Sequence, residues 1–284
     1  MSTPTTRPVV VGVDGSDSAL TAVRWAARAA VLRDTSLHAV HAMSSGWDLG
    51  RVGTVSIHNQ HFHDDGRAAL ASATTVALAE TAPDHLEMRT SVVSPAPVSA
   101  LRRSARHAQL LAVGTRGLGA FERALLGSVS SALARRPVCP LAIVPASFDP
   151  APDRRPVLVG LDGSPGSDRA LDFAIEEASL RGVGLVALRA WTTPAPGVHD
   201  SRMTEHTHRL LADSLVGYGE KYPDVPITRI VTDDDPARRL LRESAGAQLL
   251  VLGSHRRGAH DGFGSVSRTV AYATEIPLVL AGHR

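Results

Sequence analysis

The stretch Pro8-Val-Val-Val-Gly-Val-Asp-Gly-Ser16 returns 148 residues later as Pro156-Val-Leu-Val-Gly-Leu-Asp-Gly-Ser164. In both places a short, continuous apolar run is followed by Asp-Gly-Ser, which combines turn residues with a good helix N-cap. A short apolar run bounded by turn signals is typical of a strand that is buried on both faces of a parallel sheet. The two stretches therefore predict that the chain contains two copies of one α/β unit.

The repeat continues to the end of each copy. The segment 108–114 reads AQLLAVG and matches AQLLVLG at 247–253, while Gly127-Ser-Val-Ser130 matches Gly264-Ser-Val-Ser267. A copy of about 140 residues has the size of a domain rather than of a solenoid repeat. The proline-rich segment 145–156 predicts a linker, with a boundary near Asp153. We therefore expect domains at 1–150 and 151–284.

Strand and helix patterns alternate along each copy. Alternation of this kind predicts an open parallel sheet of five strands with helices on both faces, linked by right-handed crossovers. In the first copy we predict strands at 9–13, 37–42, 86–93, 110–113 and 141–144. We predict helices from Ser16 or Asp17, over 64–81, over 97–107 and from Ser128, with a loop at 44–63.

Composition excludes several classes of protein. The chain has 284 residues with one cysteine, Cys139, so no disulfide can form within it, which fits a reducing compartment. The apolar run at 9–13 is shorter than a signal peptide needs, and no stretch approaches the roughly 18 apolar residues that a membrane span requires, so we expect neither secretion nor membrane insertion. The net charge is +2 and no long Lys/Arg cluster is present. We expect a cytoplasmic protein that binds neither membranes nor nucleic acid.

A glycine-rich segment follows the predicted fourth strand. It reads Gly114-Thr-Arg-Gly117-Leu-Gly119 and leads to Gly127-Ser128, where a helix is predicted to begin. Glycines let the backbone approach a ligand closely, and successive N–H groups can form a nest for phosphate oxygens. Free N–H groups at a helix N-terminus also favour an anion. The alternative interpretation is a mobile turn followed by an ordinary serine cap.

Asp14 ends the first predicted strand. A carboxylate at this point can accept hydrogen bonds from ribose hydroxyls, as in dinucleotide-binding folds. The alternative is that Asp14 caps the next helix. Since parallel strands end at one edge of a sheet, Asp14 and the glycine-rich segment should lie on the same edge.

These motifs resemble the universal stress protein family. The resemblance rests on Gly12-Val-Asp14-Gly-Ser16, the strand ending His41-Ala42, the Gly-x2-Gly-x9-Gly-Ser pattern and Val138-Cys-Pro140. It implies a Rossmann-like sheet in each domain and ATP, with or without Mg²⁺, as the bound nucleotide. It also implies a role in stress or growth arrest, exerted through a regulatory protein partner, with the chain forming a homodimer or higher oligomer. The implied binding residues of the first copy are Gly12, Asp14, Ala42, Gly114, Thr115, Arg116, Gly117, Leu118, Gly119, Ala120, Gly127, Ser128 and Val129.

The second copy departs from the pattern. Its matching positions are Gly160, Asp162, Gly253, Gly258, Ser265 and Val266. Arg256 stands where the first copy has Gly117, and the loop is two residues shorter. A residue with a Cβ resists the backbone conformation of a phosphate nest. We therefore expect weaker or altered nucleotide binding in the second domain.

The sequence offers no clear catalytic or metal-binding residues. The Walker pattern Gly-x4-Gly-Lys is absent. His58, His61, His63 and Asp64 lack the spacing of a structural zinc site, and Cys139 is predicted to be a small buried residue. The leading hypothesis is a nucleotide-dependent sensor or regulator. The alternatives are a slow ATPase or adenylyl-transferring enzyme, and an interaction scaffold with vestigial sites. We also expect the last strands of the two copies, 141–144 and 278–281, to lie close together so that neither edge is exposed.

Overall fold

The computed structural model describes residues 7–43, 55–81, 85–94, 96–115, 126–149, 153–192, 201–254 and 263–281. Side chains of residues 55–62 are outside this description. The chain divides into two compact units, unit one at residues 1–150 and unit two at residues 151–283. Within the described ranges, no helix is both long enough and apolar enough to cross a membrane.

Unit one is a five-stranded parallel sheet with the strand order β3-β2-β1-β4-β5. Helices connect the strands along the chain, as the alternating pattern predicted. The elements are β1 Val9–Gly12, α1 Asp17–Leu32, β2 Leu37–Ala42, α2 Val55–Glu80, β3 Met88–Val93, α3 Pro97–Ser104, β4 Leu110–Gly114, α4 Ser128–Arg135 and β5 Leu141–Val144.

Unit two repeats this order as β8-β7-β6-β9-β10, again with every pair parallel. One short helix, α7, has no counterpart among the described elements of unit one. The elements are β6 Val157–Gly160, α5 Pro165–Arg181, β7 Leu185–Ala190, α6 Ser201–Ser214, α7 Tyr218–Lys221, β8 Ile227–Thr232, α8 Pro236–Ser244, β9 Leu249–Gly253, α9 Ser265–Ala273 and β10 Leu278–Ala281.

The apolar runs that decided the prediction form the centre of each sheet. Val9, Val10 and Val11 of β1 are fully buried, as expected for a strand covered on both faces. Helix α1 packs on this strand with a face made largely of alanine, which lets helix and sheet approach closely. The second unit has the same arrangement of α5 on β6.

The turn after β1 is built by the predicted cap residues. Ser16 is the N-cap of α1, and its Oγ accepts a hydrogen bond from the Ala19 amide at 3.2 Å. Gly15 has a φ of 89°, a conformation that side chains with a Cβ rarely adopt, so glycine is required there. Gly163 has a φ of 79° in the equivalent turn of unit two.

Helix α2 corrects the prediction of a loop over 44–63, because the helix begins at Val55. The sequence from 54 to 65 contains neither glycine nor proline, so nothing in it breaks a helix. Downstream, Ala69, Leu70 and Ala73 are buried and hold the helix in place. The residues at 44–54 lie outside the described part of the chain.

Two smaller boundaries also differ from the prediction. Strand β3 begins at Met88 instead of residue 86, although the Leu86 side chain is buried. Helix α3 ends at Ser104 instead of residue 107, because the Gln109 amide must reach the Pro8 carbonyl oxygen, at 3.0 Å, where β4 is about to begin. The chain therefore turns earlier than the helical pattern alone suggested.

The close approach of α1 to the end of β4 fixes the edge of the sheet in unit one. A Cβ added to Gly114 would overlap Ser18 Oγ and lie 2.7 Å from the Ser18 carbonyl oxygen. Unit two has the same contact, since a Cβ on Gly253 would lie 2.5 Å from the Gly166 carbonyl oxygen. Glycine in both places serves close helix–strand packing.

The end of the predicted linker is anchored on unit two. Gln248 Nε2 donates to the carbonyl oxygens of Asp153 and Arg155, at 3.1 and 2.5 Å. Gln248 Oε1 accepts from Arg181, whose guanidinium also pairs with the buried Glu177. Burial lowers the pKa of Arg181 to about 10. These bonds attach residues 153–155 to the body of unit two.

Replacing Gly114 with alanine should destabilise the protein, because the new methyl group would push α1 away from β4. Overpacking of this kind costs about 1–3 kcal/mol. Chemical denaturation would measure the loss. Gly219→Ala is the matched control, since a Cβ there meets nothing within 4 Å. Equal stability of the two variants would contradict the packing argument.

Candidate functional site

The candidate site lies where the strand order reverses. In unit one the chain runs from β1 to β2 on one side and reaches β4 on the other side. Connections leave this point in opposite directions, which opens a crevice at the carboxyl ends of β1 and β4. Both motifs from the sequence, Asp14 and the glycine-rich segment, follow these two strands.

The strand register shows that the candidate residues lie at the same height along neighbouring strands. Val11 is paired with Ala112, so Asp14 and Thr115 each lie three residues beyond a matched pair. Gly12 is paired with Val40, so Ala42 lies two residues beyond its pair, as Asp14 does. The fold therefore brings Asp14, Ala42 and Thr115 to the same edge, as the sequence predicted.

Asp14 is half-buried and takes part in the turn before α1. Its Oδ1 accepts hydrogen bonds from the Ser16 amide, at 3.0 Å, and from Ser16 Oγ, at 2.6 Å. Ser16, and not Asp14, then caps the helix. A carboxylate has two oxygens and about four acceptor positions in all, so it can accept hydrogen bonds from several groups at once. The turn fixes where that carboxylate stands.

The glycine-rich segment has ends that are tied together. The Gly127 amide donates to the Thr115 carbonyl oxygen at 2.6 Å, while the Thr115 amide donates to Val144 at 3.1 Å. Ser130 Oγ donates to the Gly114 carbonyl oxygen at 2.6 Å in a buried position. The start of α4 is thus held against the end of β4. Between them, Arg116, Gly117, Leu118, Gly119 and Ala120 lie outside the described residues.

The start of α4 is suited to an anion. Helices α1 and α5 are capped by serine side chains, but Gly127 caps α4 with no side-chain bond among the described residues. The first amides of α4, those of Ser128 and Val129, belong to the positive end of the helix, and the Gly127 amide holds this end at Thr115, just after β4. Ser128 is exposed and Val129 is half-buried.

Gly12 and Gly114 have a packing function that the sequence analysis did not identify. A Cβ on Gly12 would lie 3.0 Å from Leu101 Cδ1 of α3, and Gly114 packs against Ser18 as described above. Gly160 and Gly253 make the corresponding contacts in unit two. These contacts explain the four glycines without a ligand.

Unit two keeps the frame of the site. The Asp162 Oδ1 accepts from the Ser164 amide at 2.9 Å, and the side chain is exposed. Gly264 caps α9 without a side-chain bond in the described region, and Ser265 and Val266 begin the helix as predicted. Gly258 and Arg256 fall outside the described part of the chain.

One difference between the two sites escaped the sequence analysis. His41 of β2 corresponds to Arg189 of β7, at the same offset of 148 residues as Asp14 and Asp162. His41 Nδ1 lies 2.9 Å from the Val13 carbonyl oxygen, whereas the Arg189 guanidinium lies 3.4 Å from the carbonyl oxygen of Asp162. Aligning the repeats residue by residue would have revealed this exchange.

Other polar clusters do not form a second centre. Within the described residues, no three His, Cys, Asp or Glu side chains are grouped to hold a metal ion, and His58 and His61 have undescribed side chains. His38 Nε2 bonds Ser91 Oγ at 2.9 Å, and burial together with the nearby Arg89 lowers the pKa of His38. Cys139 is buried, as predicted.

The model of the universal stress protein family matches this chain twice, at residues 5–145 and 153–281. The chain belongs to the universal stress protein family. Its two matches correspond to the two compact units and establish a tandem arrangement of universal stress domains.

Individual universal stress proteins agree with this assignment along nearly the whole chain. Two of them, both from Mycobacterium tuberculosis (strain ATCC 25618 / H37Rv), are 40% and 39% identical. The alignments cover 96% of this chain in both cases, and 96% and 95% of the relatives. The crystal structure of a universal stress protein from Archaeoglobus fulgidus DSM 4304 has a TM-score of 0.73 at 18% identity, covering 97% of this chain and 98% of that one. This last likeness shows the fold.

Removing the Ser130 hydroxyl should loosen the start of α4. Ser130→Ala leaves the buried Gly114 carbonyl oxygen without this donor, at a cost of about 1–2 kcal/mol in unfolding free energy. Ser267→Ala is the matched control in unit two, since that hydroxyl makes no corresponding bond to Gly253 in the described structure. Denaturation of both variants checks the difference, and an equal loss would refute it.

Proposed function

We propose that unit one binds ATP and that the chain acts as a nucleotide-dependent regulator in stress or growth arrest. The observation that carries the proposal is the placement of Asp14 and the start of α4 on the two strands that flank the reversal of strand order. A carboxylate on one side suits a sugar, and on the other a helix start without a side-chain cap among the described residues suits phosphate.

In this proposal each part of the nucleotide has its own partner at this edge. Asp14 would accept hydrogen bonds from the ribose hydroxyls, and the backbone near Ala42 would meet the adenine edge. The phosphates would lie on Ser128, Val129 and the glycine-rich segment. Mg²⁺ would arrive on the phosphates, since this ion is commonly held by substrate phosphates and a few carboxylates.

The same edge favours binding over rapid turnover. Efficient phosphoryl transfer needs a positioned base and a cation or metal at the transferred phosphate. The chain has a single lysine, Lys221, and it lies in α7 of unit two. Asp14 is the one acid that the described strand ends of unit one bring to the crevice. A slow ATPase is the second candidate, and turnover that disappears in Asp14→Ala would favour it.

Asp14→Asn should weaken ATP binding at least tenfold while leaving the fold intact. The asparagine oxygen can still accept from Ser16, but the charge that attracts the ribose hydroxyls is lost, at a cost of about 1.4 kcal/mol or more. Calorimetric titration of the full chain gives the affinity. Mass spectrometry of small molecules released from the freshly purified protein tests the identity of the nucleotide. Unchanged affinity, or a protein that binds no adenine nucleotide, would refute the proposal.

The two units should differ in affinity for ATP. The shorter loop of unit two carries Arg256 at the position of a nest glycine, and a residue with a Cβ resists positive φ by roughly 1–2 kcal/mol. Asp162→Asn should therefore leave the affinity of the tighter site, in unit one, unchanged. Asp14→Asn should weaken that site, so that only the weaker site of unit two keeps its affinity. Titration of both variants decides it. Equal losses would show that the missing glycine has no effect.

A further inference from the structure

Arg189 places a positive charge at the sugar side of the site in unit two. It is the fifth residue of β7 and lies half-buried at the carboxyl edge of the sheet. Its Nη2 lies 3.4 Å from the Asp162 carbonyl oxygen, and a Cβ on Gly163 would be 2.8 Å from the same atom. The guanidinium therefore lies on the Asp162-Gly163 turn.

The corresponding residue in unit one is directed elsewhere. His41 lies against α2, where a Cβ on Gly66 would be 2.7 Å from its Cδ2 atom, and its Nδ1 bonds the Val13 carbonyl oxygen. The ring thus fills the space between the end of β1 and α2. The two units share the acid that follows the first strand, and at the position of His41 unit two has an arginine that bonds the backbone of the turn carrying this acid.

A cation on the turn that carries this acid would change which ribose the site prefers. In dinucleotide-binding folds, an acid at the end of a strand binds an unmodified ribose, whereas a nearby arginine accommodates a phosphate on the ribose. We propose that unit two selects adenine nucleotides that carry a phosphate on the 2′ or 3′ oxygen of the ribose, and that Arg189 determines this selectivity. The inference rests on the proposed function, since it presumes that these edges bind adenine nucleotides.

The chemistry of the side chain fits this role. A guanidinium has five N–H donors in a planar fork that matches two phosphate oxygens, and the bond to Asp162 uses one of them. Gly163 allows the group to lie close to the backbone, because any larger residue would meet it. The Asp162 carboxylate accepts a hydrogen bond from the Ser164 amide, so it belongs to the same turn whose backbone carbonyl oxygen bonds the guanidinium.

The test measures binding of adenosine 2′-monophosphate, adenosine 3′-monophosphate and adenosine 5′-monophosphate to the full chain. The decisive variant is Arg189→His, which introduces the residue of unit one. We expect it to lose about tenfold or more in affinity for the 2′- or 3′-phosphate, because a charge-assisted hydrogen bond is removed. Affinity for the 5′-phosphate should change less than about twofold. Arg209→His is the control, since Arg209 is exposed on α6 and pairs with Glu205.

The fluorescence of Trp191 shows whether the ribose phosphate binds in unit two, because this residue directly follows β7. The change on adding the 2′- or 3′-phosphate should disappear in Trp191→Phe. If Arg189→His fails to fold by circular dichroism, Arg189→Gln tests the same loss of charge. Equal affinities of the wild type and Arg189 variants would overturn the inference, as would binding of ATP without binding of either ribose phosphate. A chain that binds none of these nucleotides would instead refute the proposed function.

Discussion

The close contact between Gly114 and Ser18 is the constraint on which the site of unit one depends. It brings the first turn of α1 against the end of β4, with no room for a single extra carbon atom. Asp14 is joined to that turn by its bonds to Ser16. The glycine-rich segment begins at Gly114, the other residue of this contact. A packing requirement of the core thus sets the distance between the two halves of the proposed site.

Helices α1 and α4 both begin at this edge of unit one, and they differ in how their first turns are capped. The start of α1 has a side-chain cap, because Ser16 Oγ accepts a hydrogen bond from the Ala19 amide. Helix α4 begins after Gly127 with no side-chain cap among the described residues, and the proposed function assigns its first amides to a ligand. Unit two repeats both features, yet it exchanges His41 for Arg189. Unit two therefore keeps the arrangement of strands and helices around the site, but it has a different side chain at one position of this edge.

Most of the fold followed from local patterns. Buried apolar runs marked the strands to within about two residues, and Ser16 marked the start of α1, because a strand and a cap are each decided by a few neighbouring residues. The prediction of a loop over 44–63 was wrong, because α2 begins within that segment. Thr54 is of a residue type that often caps helices, but the segment after it lacks the apolar spacing of a helix, so the sequence did not reveal that α2 begins at Val55. Packing of its later turns on the sheet holds it.

The sequence by itself determined the duplication, the family and the residues at the edge of each sheet, since these are properties of order and spacing along the chain. Only the tertiary structure decided which of those residues contact one another. Gly114 was predicted to contact phosphate, but the structure also shows it beneath Ser18, which stands 96 positions earlier. Arg189 gave no local signal, and its importance arises because the sheet carries it to the turn at Asp162. Contacts between distant segments are set by the packing of helices on strands, and no short stretch of sequence contains both partners.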